Sequence, residues 1–362
     1  MSEAVSTLLL LVGVSAHALA LAACGSNVTV VSSDGGASGD GGYATASTSS
    51  AGGSAGDPCG AEPCRVGSCL AEVISVWDPD EPCLLQGPVL AGEWLYWSCS
   101  VYEGNQPFSW EAYRAPLCGG SSQLLAQGSR AARGLFPWNG AAYFAELGPE
   151  SAALEELGTI FRVGDDSIPA VVVDGLLPNR LFIDDDGIYW IENGQRIASA
   201  SHDASTLFPK VVDSDIWDGL VVDDKRMYWG SETGVHTAIR GDESYSTFAE
   251  LGAYVFRLGQ DEQNLFALEI GEDAEPNRLL RLPKSTPENL AVLVTGLWPE
   301  IVFDDDFFYY RHEKSLWRKS RSTGDVDHLG DGEFWSDTAV DDHAIYFITP
   351  EGLVRMGKPT AM

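Results

Sequence analysis

The sequence is short of cations. Lys and Arg together number 22 against 53 Asp and Glu in 362 residues, a net charge of -31. That imbalance repels phosphate backbones and anionic headgroups, which argues against nucleic-acid binding. Long apolar runs are scarce as well: past the N-terminus no stretch reaches the ~20 apolar residues that a spanning helix needs. No HExxH pair occurs, no GxSxG, P-loop or GxGxxG signature precedes a helix, and helical periodicity is weak outside residues 151–157. His202, His236, His312, His328 and His343 share no position in the pattern described below. The expectation is therefore no catalytic residue, no metal and no cofactor.

What the sequence does have begins at the N-terminus. Residues 5–23 are apolar apart from small polar residues and His17, and they end in Leu21-Ala22-Ala23-Cys24-Gly25-Ser26. Small residues ahead of a Cys resemble the lipobox of bacterial lipoproteins, which would acylate Cys24 and make it the first mature residue. The n-region departs from a signal peptide in offering Glu3 where Lys or Arg is usual. Buried methylenes contribute about 0.8 kcal/mol each, so a multiply acylated Cys24 would anchor the protein without a spanning helix. An uncleaved anchor helix is the alternative. Residues 24–57 are rich in Ser, Gly, Ala, Thr and Asp with few large apolar side chains, a composition that cannot offset chain entropy. They read as a tether with a reach on the order of 30 Å.

Seven cysteines are an odd number. Setting Cys24 aside leaves Cys59, Cys64, Cys69, Cys83, Cys99 and Cys118, an even set in an exported chain, so three disulfides are expected. Cys99 and Cys118 could close one hairpin, with about 3 kcal/mol of loop-closure stabilisation. The other four allow three connectivities. A zinc site from Cys59, Cys64 and Cys69 is the competing reading.

The body of the chain repeats a phrase: Phe182-Ile183-Asp184-Asp185-Asp186-Gly187-Ile188-Tyr189-Trp190, and again at 221–229, 302–310 and 339–347. With its aromatic as position zero, seven copies align at Tyr96, Tyr143, Tyr189, Tyr228, Phe266, Tyr309 and Tyr346, spaced 47, 46, 39, 38, 43 and 37 residues apart. That period fits one four-stranded propeller blade per copy. Five copies carry an acidic pair at minus five and minus four, beginning at Asp184, Asp223, Asp261, Asp304 and Asp341. A β-branched run precedes each pair and an apolar-Tyr-Trp type of run follows it, so the pair reads as a hairpin turn, with calcium ligation as the sharper alternative. An Arg two places after an apolar residue or Ala recurs at Arg114, Arg162, Arg240, Arg281, Arg318 and Arg355. The last copy lacks a fourth strand, and a segment around Cys83-Leu84-Leu85 is expected to supply it and close the ring.

This unit, apolar-x-apolar-Asp-Asp-x-x-apolar-Tyr-Trp followed by apolar-x-Arg, resembles the YWTD-type propellers of the low-density-lipoprotein-receptor class. It resembles more closely the propeller lipoproteins abundant in myxobacteria and related bacteria. The resemblance covers roughly residues 83–357. It implies a ligand-binding or scaffolding module and carries over no catalytic residue.

The expected architecture is thus an all-β propeller, seven four-stranded blades with six as the alternative. It is divided into a signal peptide (1–23), tether (24–57), Cys-containing lead-in (58–82) and propeller (83–362). Function should lie where the copies differ. Position minus eleven holds Trp217, Trp298 and Trp335, which could floor a binding site for a peptide or sugar or simply fill the wedge between blades. Two acidic loops, with Glu146, Glu150, Glu155 and Glu156 in one and Glu269, Glu272, Asp273 and Glu275 in the other, should lie on the same face. The leading reading is an envelope-anchored, monomeric recognition or scaffold module for an envelope protein, peptide or polysaccharide, touching the membrane only through its lipid, on the outer-membrane or periplasmic side. The runner-up is a polysaccharide hydrolase or lyase using those loop carboxylates.

Overall fold

A computed structural model describes residues 71–75, 83–103, 106–128, 132–146, 158–164, 169–176, 178–192, 195–212, 216, 218–271, 275–298, 301–332 and 338–359. Seven four-stranded antiparallel sheets form a β-propeller, one blade per copy of the repeat, with no helix among the described residues. Blade five shows the plan: Val255–Gln260 is innermost, followed outward by Asn264–Glu269, Arg278–Pro283 and Ala291–Thr295. First strands of neighbouring blades touch around the axis. The approach is close at Gly219 (φ +70°), where a Cβ would stand 2.7 Å from the Leu258 amide nitrogen.

The Tyr-Trp dipeptide works by strand alternation, which sends successive side chains to opposite faces of a sheet. The zero residue always enters the seam with the next blade, as Tyr189 does against Leu220, Val222 and Trp229 of blade four. The residue after it enters the preceding seam, as Trp190 does against Tyr143 and Ile160 of blade two. Seven such clusters fill the seven seams. An aromatic buried to this degree costs about 3–5 kcal/mol to truncate to Ala.

The first acid of each pair has two tasks. Its Oδ1 accepts from the amides two and three residues on, closing the hairpin: Asp261 takes Gln263 and Asn264 at 2.8 and 2.7 Å, and Asp341 takes His343 and Ala344 at 2.7 and 2.8 Å. In four blades the same carboxylate meets a cation from the next blade: Asp184 with Arg240, Asp223 with Lys284, Asp261 with Arg321, and Asp304 with Lys358. Each cation also lies over the zero aromatic, with Arg240 at 5.1 Å from the Tyr189 centroid and Lys358 at 5.6 Å from that of Tyr309. The hairpin reading of the acidic pairs therefore stands with an addition: they also pin blade to blade. Where blade two has Trp138 at the acid's place, His202 of blade three stacks on it at 4.0 Å. At the seam between blades seven and one, Leu117 occupies the cation's place, its amide donating to Glu93 O, and Asp341 is held by the Tyr346 hydroxyl at 2.8 Å.

Three sequence expectations are corrected. An N-terminal strand does complete blade seven and close the ring, but it is Ala71–Ser75, paired with Gly352–Gly357, and not the segment around Cys83. Cys83–Ala91 is required as the innermost strand of blade one, at the register the same strand has in every copy, so the lead-in contributes a strand to the propeller. The six arginines are not one position. Arg114, Arg162, Arg281, Arg318 and Arg355 stand across from the zero aromatic, whereas Thr237 has that place in blade four and Arg240 is the seam cation beyond the strand. Finally, Cys99 stands opposite Glu111, but Cys118 lies beyond Pro116, which is opposite Trp94. At ~3.3 Å per residue the two cysteines are roughly 16 Å apart, past the ~7 Å limit for a disulfide, so they do not close the hairpin on each other.

Candidate functional site

The blades leave two faces. One carries the Asp hairpins and the turns between third and fourth strands; the other carries the second-to-third-strand loops and the connections between blades. Trp298 lies on the second face, ahead of the innermost strand Ile301–Phe303 of blade six, and is 50% exposed. Its position is fixed from both sides. The Trp298 amide donates to Arg311 O at 2.9 Å, and the Arg311 guanidinium lies 5.1 Å from the ring centroid. Asn277 of blade five holds the preceding residues: its side chain donates to Leu297 O at 3.0 Å and accepts from Gly271 N at 3.1 Å, while its carbonyl accepts from Gly296 N at 2.9 Å. Trp217 and Trp335 lie outside the described residues, so Trp298 is the member of the aromatic trio whose surroundings are defined.

Next to Asn277, Arg278 pairs with Glu269, the last residue of the second strand of blade five. Glu269 is 1% exposed, so it is a buried ion-paired carboxylate and not the solvated loop acid expected from the sequence. Its partner keeps the Arg278 guanidinium protonated above the usual arginine range, first through the hydrogen bond and then through charge. Blade three repeats the arrangement with Glu192 and Arg196 at 2.7 Å. Buried Arg180 and Arg257 stand at minus nine in the same two blades, each just inside a bulge at the start of the innermost strand. Bulges turn a side chain away from the regular pleat. In blade two Glu146 accepts from Trp110 Nε1 at 3.2 Å, across the seam with blade one. Glu275 is exposed near Arg278, while Glu150, Glu155, Glu156, Glu272 and Asp273 lie outside the described residues.

Sequence reasoning missed the Arg-Glu positions, although a tally at plus three would have shown Glu146, Glu192 and Glu269 in register. Within a single repeat these strand ends look like loops, because the acid stands next to turn residues. Among the described residues no cluster of three or more His, Cys, Asp or Glu is placed to hold a metal ion. Cys24, Cys59, Cys64 and Cys69 lie outside the described residues, and Cys83 is described only as part of the backbone of its strand.

No family model and no curated protein matches this sequence. Solved structures share the fold. A CNH domain of AfRom2 is 6% identical with a TM-score of 0.54, covering 81% of this chain and 100% of its own. A chain of the mitotic checkpoint complex is 10% identical with a TM-score of 0.52, over 74% of this chain and 87% of its own. BamB from Moraxella catarrhalis is 11% identical with a TM-score of 0.50, over 80% and 87%. At these identities the likeness establishes a β-propeller and nothing finer.

Proposed function

We propose that this chain is a non-enzymatic recognition module of the bacterial cell envelope, anchored through acylated Cys24. It would present the face opposite the Asp hairpins to an envelope protein, peptide or polysaccharide. The observation that carries the reading is Trp298, a half-exposed indole held in place by Arg311 and by the Asn277 bridge. A large aromatic side chain fixed before contact loses little conformational entropy on binding, which is what a recognition surface requires. Among the described residues, two of the loop carboxylates named for a hydrolase are engaged otherwise, Glu269 with Arg278 and Glu146 with Trp110. The propeller from the mitotic checkpoint complex is itself part of a protein assembly, a precedent for the architecture as a scaffold.

The envelope setting also accounts for the cysteines. Cys99 and Cys118 do not reach each other, yet neither stands without a partner. Disulfides to members of the Cys59, Cys64, Cys69 and Cys83 set are the reading that fits an exported, oxidised chain. Affinity capture from envelope extracts tests the binding surface. The wild-type protein should retain a component that Trp298→Ala loses, and equal retention by both would remove Trp298 from the site.

A further inference from the structure

Among the described residues, the exposed large apolar side chains lie on or beside the outer two strands of their blades, as Val171, Leu207, Ile239 and Val292 do. Trp298 is the exception. It stands on the connection that crosses from Ala291–Thr295 of blade five to Ile301–Phe303 of blade six, and its neighbours are polar. Arg311 lies over part of the ring, the Asn277 side chain holds Leu297 O, and His312 Nε2 is 3.7 Å from where a Cβ on Gly296 would stand. Arg278 follows Asn277, is 40% exposed and is kept charged by its bond to buried Glu269. Glu275 is exposed beside it. Toward the axis on the same face, half-buried Tyr254 and Phe256 meet edge to face with centroids 6.2 Å apart.

Two kinds of protein partner fit this surface badly. A peptide that binds as an added strand needs open main-chain groups. Here Gly296 N donates to Asn277 O, Leu297 O accepts from Asn277 Nδ2, and Trp298 N donates to Arg311 O. A globular partner gains most from a contiguous apolar centre. Here one exposed indole is bordered by Arg, His, Asn and Glu side chains. A pyranose ring matches what is present. One side of it is a set of C–H bonds that packs on the electron-rich face of an indole. Its hydroxyls both donate and accept, which suits Arg278 and His312 as donors and Glu275 as an acceptor. We propose that Trp298 is the stacking platform for a sugar unit of a polysaccharide, an assignment that rests on the recognition role given to this face. A surface this open covers only one side of a sugar, so a single unit binds weakly and a polymer gains from repeated contacts. The ligand is therefore a chain and not a free monosaccharide.

The probe is envelope extract divided into three parts: untreated, digested with proteinase K, and oxidised with periodate, which cleaves the vicinal diols of sugars. The full chain should retain a component that survives proteolysis and disappears after periodate. Trp298→Ala should weaken its retention about tenfold, as expected for loss of an aromatic stack, whereas Trp298→Tyr, which keeps a ring face, should lose much less. Loss of the component on proteolysis, or its survival of periodate, would overturn the polysaccharide and leave the recognition role in place. Equal weakening by Trp298→Ala and Trp298→Tyr would show that the ring face is not what binds, and would overturn it too. No retained component in any part, or full retention by Trp298→Ala, would overturn both this assignment and the recognition role of Trp298.

Discussion

Arg240 Nη2 lies 3.0 Å from Asp184 Oδ2, so a residue just past the third strand of blade four holds the hairpin turn of the blade before it. Both side chains are largely buried, at 14% and 9% exposure. Burial holds the Asp184 carboxyl above its ordinary value even with Arg240 alongside. Arg240→Met should therefore leave a buried acid without its cation and cost about 3 kcal/mol in denaturant unfolding. Combining it with Asp184→Asn should recover part of the loss, with a coupling of about 1–3 kcal/mol in a double-mutant cycle. Strict additivity would mean that the ion pair does not join the blades.

Asp223 behaves in the opposite sense. Burial alone would raise its pKa, but the Lys225 amide, the Lys284 ammonium and the Arg226 amide together bring it below the ordinary 3.8. A carboxylate with a depressed folded-state pKa contributes stability that is complete above the unfolded value and is lost as pH falls through the folded one. The stability difference between wild type and Asp223→Asn should be constant near neutrality and shrink on acidification below 3.8. A difference that widens on acidification would reverse the assigned sign.

Trp298→Ala should leave thermal unfolding within about 0.5 kcal/mol of wild type, the usual range for a surface substitution, while removing the captured partner. A fall of several degrees in melting temperature would instead assign the indole to packing between blades five and six.

Gly219→Ala should destabilise by more than the roughly 1–3 kcal/mol that a left-handed backbone costs a non-glycine residue. The added methyl also meets the backbone of the neighbouring innermost strand at 2.7 Å. Unfolding at unchanged stability would show that the first strands of blades four and five can separate without penalty.

Cys24→Ala should move the protein from the membrane to the soluble fraction of cells expressing it. Continued membrane retention would refute acylation at this residue.

The blades were legible because each is a local unit: a hairpin, an aromatic pair and a third strand within about 40 residues leave a periodic trace. The closing strand Ala71–Ser75 left none, because its partner Gly352–Gly357 lies at the far end of the sequence and five residues carry no repeat phrase. The place of Arg240 is hidden in the sequence for a related reason. Its tripeptide Ala238-Ile239-Arg240 imitates the third-strand pattern, but strand length in blade four puts it beyond the sheet. The site suffered most, since Glu192, Glu269, Arg180 and Arg257 gain their meaning from burial at strand ends, which neighbouring blades impose and single-strand patterns do not record.

Ring closure by Ala71–Ser75 also settles how the molecule bears mechanical load. Ala71 lies opposite Met356 at the rim of blade seven, so a pull on the chain ahead of Ala71 is carried first by the ladder between this strand and Gly352–Gly357. That ladder belongs to blade seven, where Leu117 of the adjoining blade stands in the cation's place and Asp341 is held by the Tyr346 hydroxyl of its own blade. Under tension the disc should give way there, peeling one short strand before any other blade is disturbed.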